Sequence, residues 1–161
     1  MTRAAFFAAL ITICSWISIP IGDIAFTLQT LGVFLALAIL GSKWGSISIL
    51  IYLLLGAVGL PVFSGFRGGF GVLLGVTGGY LWGFLLSGLI YRLLERFGSL
   101  PALVAAQLGC YACGTAWFAL YSGGGIVFVL LRCVVPFLIP DILKLCLALH
   151  LKTRLKPYIK A

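Results

Sequence analysis

Three ionisable residues, Arg67, Asp141 and Lys144, are candidates for chemistry in a chain that carries few others. Asp141 and Lys144 are three positions apart, so they share one face if the segment is helical. A carboxylate beside an ammonium offers an acceptor and a donor, which suit a neutral polar group such as a urea. Arg67 could bind an acid at the other end of the same ligand. The structural alternative is that Asp141 caps a helix beginning after Pro140 and Lys144 neutralises it.

Arg67 lies in a glycine-rich connection, residues 59–80, which reads GLPVFSGFRGGFGVLLGVTGGY. Glycine allows sharp bends and lets a ligand approach the main chain closely. Thr77 stands where a helix could begin, so we expect its hydroxyl to cap the first turn, and such a helix end attracts anions. The connection could therefore receive a carboxylate beside Arg67. The alternative is a plain link between two membrane helices, with Arg67 at the lipid head groups.

Aromatic residues in and beside this connection could form the apolar walls of a ligand site. The candidates are Tyr80, Phe63, Phe66 and Phe70. Aromatic side chains of membrane proteins also pack in the bundle or lie at the membrane interface, so each one alone is weak evidence for a site.

The amino-acid composition indicates whether the protein folds in water or in a lipid bilayer. Of its 161 residues, 63% are hydrophobic and 9% are charged, whereas a soluble domain is about half apolar and about a quarter charged. Burying this much apolar surface in water would need a far larger protein, so we predict one integral membrane domain, residues 1–161. The net charge of +8 comes mostly from cations near segment ends, which argues against nucleic-acid binding and for orientation in a lipid bilayer.

The apolar segments predict an all-α protein with six transmembrane helices, since a spanning helix needs about 20 mainly apolar residues. The predicted spans are residues 4–19, 26–40, 46–60, 77–94, 101–121 and 141–151. Breaks are expected at residues 20–23, 41–45 and 122–125, and the glycine-rich connection joins helices 3 and 4. A short apolar helix at residues 126–135 precedes the sixth span and cannot cross alone. The first run lacks a small-residue cleavage site near its end, so we expect a retained span.

Six spans place both termini on one side, and the charges indicate that this side is cytoplasmic. It collects Arg3, Lys43, Arg92, Arg96, Lys152, Arg154, Lys156 and Lys160. The opposite side keeps Arg67 and Arg132, with Lys144 just inside the last helix. The glycine-rich connection is therefore predicted to be external.

Four alanines on the first predicted helix, Ala4, Ala5, Ala8 and Ala9, form two pairs at four-residue spacing. Small residues at this spacing let helices approach closely. They could pack inside the bundle, or they could form a docking face for another membrane protein near the cytoplasmic side.

Cys110 and Cys113 have the spacing of redox and metal sites, but no histidine or second cysteine pair lies near them in the sequence. We interpret them as small buried residues of an apolar helix and expect neither a metal nor a cofactor. No phosphate-binding loop, paired acids or nucleophile–base set is visible in the sequence, so the chain is not expected to be an enzyme.

Several blocks of this sequence form a pattern that covers nearly the whole chain. They are residues 26–32 (FTLQTLG), 52–63 (YLLLGAVGLPVF), 65–71 (GFRGGFG), 75–80 (GVTGGY), 140–144 (PDILK), and Tyr111 with Gly114 and Trp117. In this order they resemble the BioY family, the biotin-specific substrate-binding (S) components of energy-coupling factor (ECF) transporters. Two positions depart from the family pattern: Gly-Val-Thr replaces Gly-Pro-Thr at residues 75–77, and Pro140-Asp141 lacks the glycine often found between them.

The resemblance implies a six-helix protein of the bacterial cell membrane that binds biotin from outside. It implies assembly with a transmembrane coupling subunit and two ATPase subunits, which hydrolyse the ATP. The Asp-x-x-Lys pair of the family's biotin site corresponds to Asp141 and Lys144, and Arg67 matches its arginine. The candidate biotin-binding residues are Arg67, Asp141, Lys144, Tyr80, Gln29, Phe63 and Ser64. The coupling subunit is expected to contact Ala4 and Ala8, or Ala5 and Ala9.

Three other functions stay open from the residues. An S component or carrier for another small carboxylate, such as a different vitamin or cofactor precursor, would use the same charged groups with a different pocket shape. An intramembrane thiol enzyme would depend on Cys110 and Cys113. A purely structural membrane subunit would bind no ligand.

Overall fold

Helices make up most of this computed structural model, which describes residues 1–21 and 24–159. In chain order the elements are α1 (Thr2–Trp16), β1 (Ser18–Ile21), β2 (Ile24–Thr27), α2 (Gln29–Ala57), α3 (Phe70–Leu74), α4 (Gly78–Leu94), a 3-10 turn (Glu95–Phe97), α5 (Ser99–Ser122), α6 (Ile126–Cys133) and α7 (Val135–Ile159). The predicted break at Asp23 and the predicted cytoplasmic cation Lys160 lie outside the described residues.

Helix α2 contains two of the predicted spans, because the chain reverses direction inside it. Gly41 has φ of 78° and ψ of 178°, a backbone conformation that only glycine adopts without strain. A Cβ atom at Gly45 would lie 2.9 Å from the Cα of Leu37, so the two legs, residues 29–40 and 42–57, pack against each other. The tight turn predicted at residues 41–45 is therefore present, and the described chain has six long helical segments: α1, the two legs of α2, α4, α5 and α7.

Two of the described helices are long and apolar enough, by length and composition, to cross a membrane. They are α2, with a mean hydropathy of 1.8, and α5, with a mean hydropathy of 1.4. Since α2 folds back at Gly41, its first leg is about 18 Å long at 1.5 Å per residue, shorter than the roughly 30 Å of a bilayer core. The β-hairpin directly precedes that leg in the chain.

A short β-hairpin lies between α1 and α2 in this predominantly helical fold, around the predicted break between the first two spans. Strands β1 and β2 pair antiparallel, with Ser18 opposite Thr27 and Ile19 opposite Phe26. The first span accordingly ends at Trp16 rather than residue 19, and the second begins at Gln29 rather than residue 26. After Trp16 the chain reads Ile-Ser-Ile-Pro, and the β-branched isoleucines favour a strand. Pro20 disfavours continuation of the helix, so an extended strand is favoured locally.

Close contacts between backbones hold neighbouring helices together. A Cβ atom at Gly32 would lie 2.9 Å from the Cα of Ile11, which brings α1 against the first leg of α2. A Cβ atom at Gly83 would lie 3.1 Å from the Cα of Cys110, which brings α4 against α5. Such packing of small residues is typical of helices in membranes, where lipid is as apolar as the side chains.

The glycine-rich connection is more structured than a simple loop. It contains the short helix α3, and the N–H of Phe63 donates to the carbonyl of Arg67 over 2.9 Å, which closes a tight loop. The third span ends at Ala57 rather than residue 60. Thr77 precedes α4 as predicted, but its hydroxyl makes no capping hydrogen bond. With φ of −89° and ψ of −1°, Thr77 lacks the extended backbone conformation that an N-cap side chain needs.

Helix α7 begins earlier than predicted. The sequence suggested that Pro136 and Pro140 precede the last span, but α7 starts at Val135 and includes both prolines in its first two turns. The first turn of a helix tolerates Pro136 because its N–H groups have no partner within the helix. Pro140 is the sixth residue and leaves one carbonyl of the first turn without its helical donor. The short helix α6 is present, and it ends at Cys133 rather than residue 135. Helix α5 begins at Ser99, two residues before the predicted start.

Polar contacts tie together the bundle end that carries most cations. The side chain of Glu95, after α4, accepts hydrogen bonds from the hydroxyl (2.6 Å) and the N–H (3.2 Å) of Ser42, at the turn within α2. Lys152 of α7 donates to Ser99 at the start of α5. This end therefore gathers the start of α1, the turn of α2 and the ends of α4 and α7, and the predicted cytoplasmic cations Arg3, Lys43, Arg92, Arg96, Lys152 and Arg154 lie on those segments.

Candidate functional site

A cavity lies inside the bundle, near the end that carries the β-hairpin and the glycine-rich connection. Its volume is about 110 Å³, where one buried water needs about 10–15 Å³ on the same measure, so it can hold a small molecule. All seven residues that the sequence nominated for ligand binding line it: Gln29, Phe63, Ser64, Arg67, Tyr80, Asp141 and Lys144. They come from the start of α2, which follows the β-hairpin, and from the glycine-rich connection, α4 and α7. These segments are far apart in the sequence, so only tertiary packing brings the residues together.

The buried end of the cavity is organised around Asp141, whose side chain is only 6% exposed. Its Oδ1 accepts hydrogen bonds from Lys144 Nζ (2.7 Å) and Thr30 Oγ1 (3.1 Å). Its Oδ2 accepts from Tyr111 Oη (2.5 Å) and Gln107 Nε2 (2.8 Å). These four donors match the roughly four acceptor sites of an ionised carboxylate. A buried charge is stable only when paired and hydrogen-bonded in this way.

The alternative interpretation of Asp141 as a helix cap is wrong. An N-cap residue lies just before the first helical residue, whereas Asp141 lies within α7, six positions after its first residue, Val135. Its carboxylate points across the bundle to α2 and α5 rather than to the N–H groups of its own helix. Asp141 and Lys144 therefore serve the interior of the protein.

Lys144 uses all three of its ammonium hydrogens within the protein. Besides Asp141, it donates to the carbonyl of Thr27 (2.7 Å) and to Thr30 Oγ1 (2.9 Å). Its Nζ also lies 4.4 Å from the centre of the Phe26 ring, a cation–π contact. Because Phe26 and Thr27 belong to β2, the ammonium anchors the β-hairpin to α7.

The opposite end of the cavity carries Arg67, which is exposed. Arg67 Nε donates to the carbonyl of Ser64 over 3.2 Å, which fixes the base of the side chain at the cavity mouth. Of the acids that the structure describes, Glu95 bonds to Ser42 and Asp141 lies at the buried end, so neither neutralises Arg67. A guanidinium in this position can bind an anion that enters the mouth.

Aromatic rings form the walls, though not all of those expected. Tyr80 lies across Gly114, where a Cβ atom would be 2.4 Å from the ring, and its hydroxyl donates to the carbonyl of Cys133 over 3.1 Å. Phe63 packs edge-on against Tyr52, with ring centres 5.5 Å apart. The hydroxyl of Tyr52 accepts a hydrogen bond from Gln29 Nε2 over 2.9 Å, which fixes the Gln29 amide at the wall.

The prediction that Phe66 and Phe70 form walls is wrong. Phe66 has a positive φ of 57° and turns its ring outward to stack on Trp16, with centres 5.1 Å apart. Phe70 is the first residue of α3, and its side chain is 59% exposed. Phe84 and Phe137, which the sequence did not single out, line the cavity instead.

Four polar residues of the site were missed as ligand-site candidates: Thr27, Thr30, Gln107 and Tyr111. Gln107 and Tyr111 are four positions apart on α5, so they lie on one helix face. Two polar side chains on one face of an apolar helix were the available signal. Thr27 and Thr30 flank Gln29 and carried no comparable signal, because threonine is common at ordinary helix starts.

The four alanines of α1 divide into two faces. Ala4 and Ala8 are each 1% exposed and pack into the bundle. Ala5 and Ala9 are exposed on the outside of α1. The fold thus decides a question that the sequence left open, namely which pair is accessible to another protein.

A helical bundle with an apolar surface and a buried, charged cavity defines a membrane protein that binds a small polar molecule. The chain belongs to the BioY family: the profile of that family matches residues 1–161. A biotin transporter BioY of Thermotoga maritima is 42% identical, over 97% of this chain and 95% of the relative. A probable biotin transporter BioY of Pyrococcus horikoshii is 40% identical, over 97% of this chain and 95% of the relative.

A solved structure shows the same fold. It is the crystal structure of the S-component for biotin from an ECF-type ABC transporter, with 29% sequence identity and a TM-score of 0.89. The match covers 97% of this chain and 89% of that chain. The expected resemblance to the BioY family is thereby confirmed for the sequence and for the fold.

Proposed function

We propose that this protein takes up biotin as the substrate-binding S component of an ECF-type transporter. The observation that carries the proposal is one cavity with the Asp141–Lys144 pair at its buried end and Arg67 at its mouth, in a chain of the BioY family. The protein itself is not an enzyme. Partner ATPase subunits hydrolyse the ATP, and a transmembrane coupling subunit transmits the energy.

The chemistry of biotin fits the two ends of this cavity. Its ureido ring is neutral and carries both donors and an acceptor, which suit Asp141 and Lys144. Its valerate chain ends in a carboxylate, which suits the exposed guanidinium of Arg67. The apolar part between them lies against Phe63 and Tyr80. In this orientation the ring enters first and the acid stays at the mouth, with Gln29 and Ser64 completing the lining.

Ligand binding at the Asp141–Lys144 pair is an exchange of hydrogen bonds. The longest bond to Asp141 is the one from Thr30, at 3.1 Å, so a ureido N–H can take its place at the least cost. The ureido oxygen takes one of the three hydrogens of Lys144 that now go to Thr27, Thr30 and Asp141. Exchanging one partner for another keeps the buried charges satisfied, whereas losing a partner would be costly.

The membrane arrangement follows from the charges. We infer that the 161 residues form one domain with six spans in the cell membrane of a bacterium, with both termini in the cytoplasm. The cations grouped at one end of the bundle support this orientation. The cavity mouth, beside Arg67, then opens to the outside of the cell.

The exposed pair Ala5 and Ala9 is the proposed contact for the coupling subunit. Both alanines face away from the bundle, so a helix of a partner can approach the α1 backbone closely there. Ala4 and Ala8 are each 1% exposed, and this burial argues for Ala5 and Ala9 as the contact instead.

Calorimetric titration of biotin into the detergent-purified protein tests the proposed function. Desthiobiotin, which keeps the ureido ring and the acid, should also bind, and lipoate, which has the acid without a ureido ring, should not. Equal binding of lipoate would instead indicate a carrier for small carboxylates in general. No heat from biotin, together with no protection from thermal unfolding, would contradict the function.

A further inference from the structure

A cyclic urea has two N–H donors, and the site described above assigns an acceptor to only one of them. Asp141 can accept one N–H after exchange with Thr30. The second N–H, buried in an apolar membrane protein, would lose its hydrogen bonds to water unless another acceptor faces it. The question of which group accepts it rests on the proposed function, because it assumes a ureido ring at this end of the cavity.

Gln107 is oriented by its bond to Asp141. Its side-chain nitrogen lies 2.8 Å from Asp141 Oδ2. An ionised carboxylate only accepts hydrogen bonds, so the NH₂ of the amide must face Asp141 and the amide oxygen must face away. Which end of the amide is oxygen and which is nitrogen is therefore fixed by chemistry, although the two groups have nearly the same shape.

The amide oxygen of Gln107 borders the cavity. The side chain is buried and lines the cavity. Within residues 1–21 and 24–159, the one fully buried side-chain polar atom without a hydrogen-bond partner is Thr115 Oγ1. Among the described residues, none donates a hydrogen bond to Gln107 Oε1, so this oxygen retains accessible surface, and the cavity is the open space that the side chain adjoins.

Several other oxygens at the buried end already take part in hydrogen bonds within the protein. The carbonyl of Thr27 and the hydroxyl of Thr30 both accept from Lys144. The hydroxyl of Tyr111 donates to Asp141, and the hydroxyl of Tyr80 donates to a backbone carbonyl. Gln29 also lines the cavity, but its amide bonds to Tyr52 rather than to Asp141. Gln107 differs from these groups because its bond to the Asp141 carboxylate turns its amide oxygen away from that carboxylate, as a neutral acceptor beside the proposed position of the ring.

We infer that Gln107 Oε1 accepts the second ureido N–H and so makes Gln107 a specificity-determining residue for cyclic ureas. Asp141 then has two roles: it accepts one N–H itself and it holds the Gln107 amide with its oxygen toward the ligand. Two acceptors side by side reject a ligand that presents a lone pair at either nitrogen position, because two acceptors repel each other there.

The test uses biotin and two cyclic carbamate analogues, in each of which a ring oxygen replaces a different ureido N–H. Affinities are measured by calorimetry with the full chain in detergent. In the wild type, both analogues should bind at least about tenfold more weakly than biotin, since each places an oxygen against an acceptor. In Gln107→Met, biotin should bind about tenfold more weakly, and one analogue should come within about threefold of biotin while the other keeps its penalty.

The control is Ser48→Ala, a fully buried position on the second leg of α2 that does not line the cavity. It should leave the affinity ratios among the three ligands unchanged. If Gln107→Met does not fold, Gln107→Leu replaces it. The wild type is informative without either variant: equal binding of one carbamate and biotin overturns the inference.

The outcomes separate the inference from the proposed function. If the wild type binds biotin and both carbamates keep their full penalty in Gln107→Met, Gln107 does not contact the ring and the inference is overturned while biotin binding stands. If the wild type does not bind biotin, the proposed function fails, and the inference fails with it.

Discussion

The phenolic hydroxyl of Tyr111 on α5 donates to Asp141 Oδ2 on α7 over 2.5 Å, so two helices meet at the buried carboxylate. This short, charge-assisted bond helps to hold Asp141 toward the cavity. The bond also gives Tyr111, which the family pattern contained without a predicted role, a direct contact with the candidate ligand-binding residue Asp141.

Removal of this hydroxyl tests its contribution. Tyr111→Phe should lower the free energy of unfolding by about 1–3 kcal/mol, the cost of losing a hydrogen bond to a charged group. Biotin affinity should fall by about threefold to tenfold, because Asp141 loses one of the groups that orient it. Thermal unfolding and calorimetry measure the two effects. Tyr121→Phe, an exposed tyrosine on the same helix, is the control and should change neither. A Tyr111→Phe protein with wild-type affinity would show that Asp141 is held by its other partners alone.

Arg67 is predicted to bind the acid of the ligand. Arg67→Ala should weaken biotin by about tenfold or more and should leave a biotin amide, which lacks the acid, nearly unaffected. Affinity measurements with both ligands check this. Arg132→Ala removes a cation on the same predicted side that does not line the cavity, and it should change neither affinity. An equal loss for biotin and its amide would remove the proposed carboxylate role of Arg67.

Asp141 is predicted to act on the ureido end. Asp141→Asn should weaken biotin and the biotin amide alike, because both keep the ureido ring. The variant should also unfold at a lower temperature, since it leaves the ammonium of Lys144 buried with a neutral partner. Glu95→Gln changes the acid at the other end of the bundle and serves as the control, with unchanged affinity. Wild-type binding by Asp141→Asn would restrict Asp141 to a structural role.

Replacing the two alanine pairs of α1 by larger side chains should have different effects on transport and stability. Leucine at both Ala5 and Ala9 should leave biotin binding intact and abolish transport in cells that also make the partner subunits, because the added side chains block a close approach. Leucine at both Ala4 and Ala8 should instead destabilise the isolated protein, because both sites are buried. Binding assays, uptake of labelled biotin and thermal unfolding distinguish these effects. Full uptake by the Ala5/Ala9 variant would exclude that face as the docking site.

Much of the architecture could be predicted from the sequence because the relevant signals are local. Long apolar runs, the glycine turn at Gly41 and the charges at segment ends indicate helical segments and their order without knowledge of the fold. The rarity of ionisable residues made Asp141, Lys144 and Arg67 stand out, and the structure places all three at one cavity. The errors in the order and length of the elements lie at segment boundaries, as in the β-hairpin and the early start of α7, where tertiary contacts outweigh local preference.

By itself, then, the sequence determined the membrane class, the succession of helices, the family and the charged residues of the candidate site. Only the tertiary structure decided that Gln107, Tyr111 and Thr30 surround Asp141, that Phe66 turns away from the cavity, and that Ala5 and Ala9 rather than Ala4 and Ala8 face outward. The physical reason is that apolarity and charge are properties of a segment. Which side chains meet depends on how whole helices rotate and pack against each other, and in a uniformly apolar chain the pattern along one helix does not reveal which face is buried.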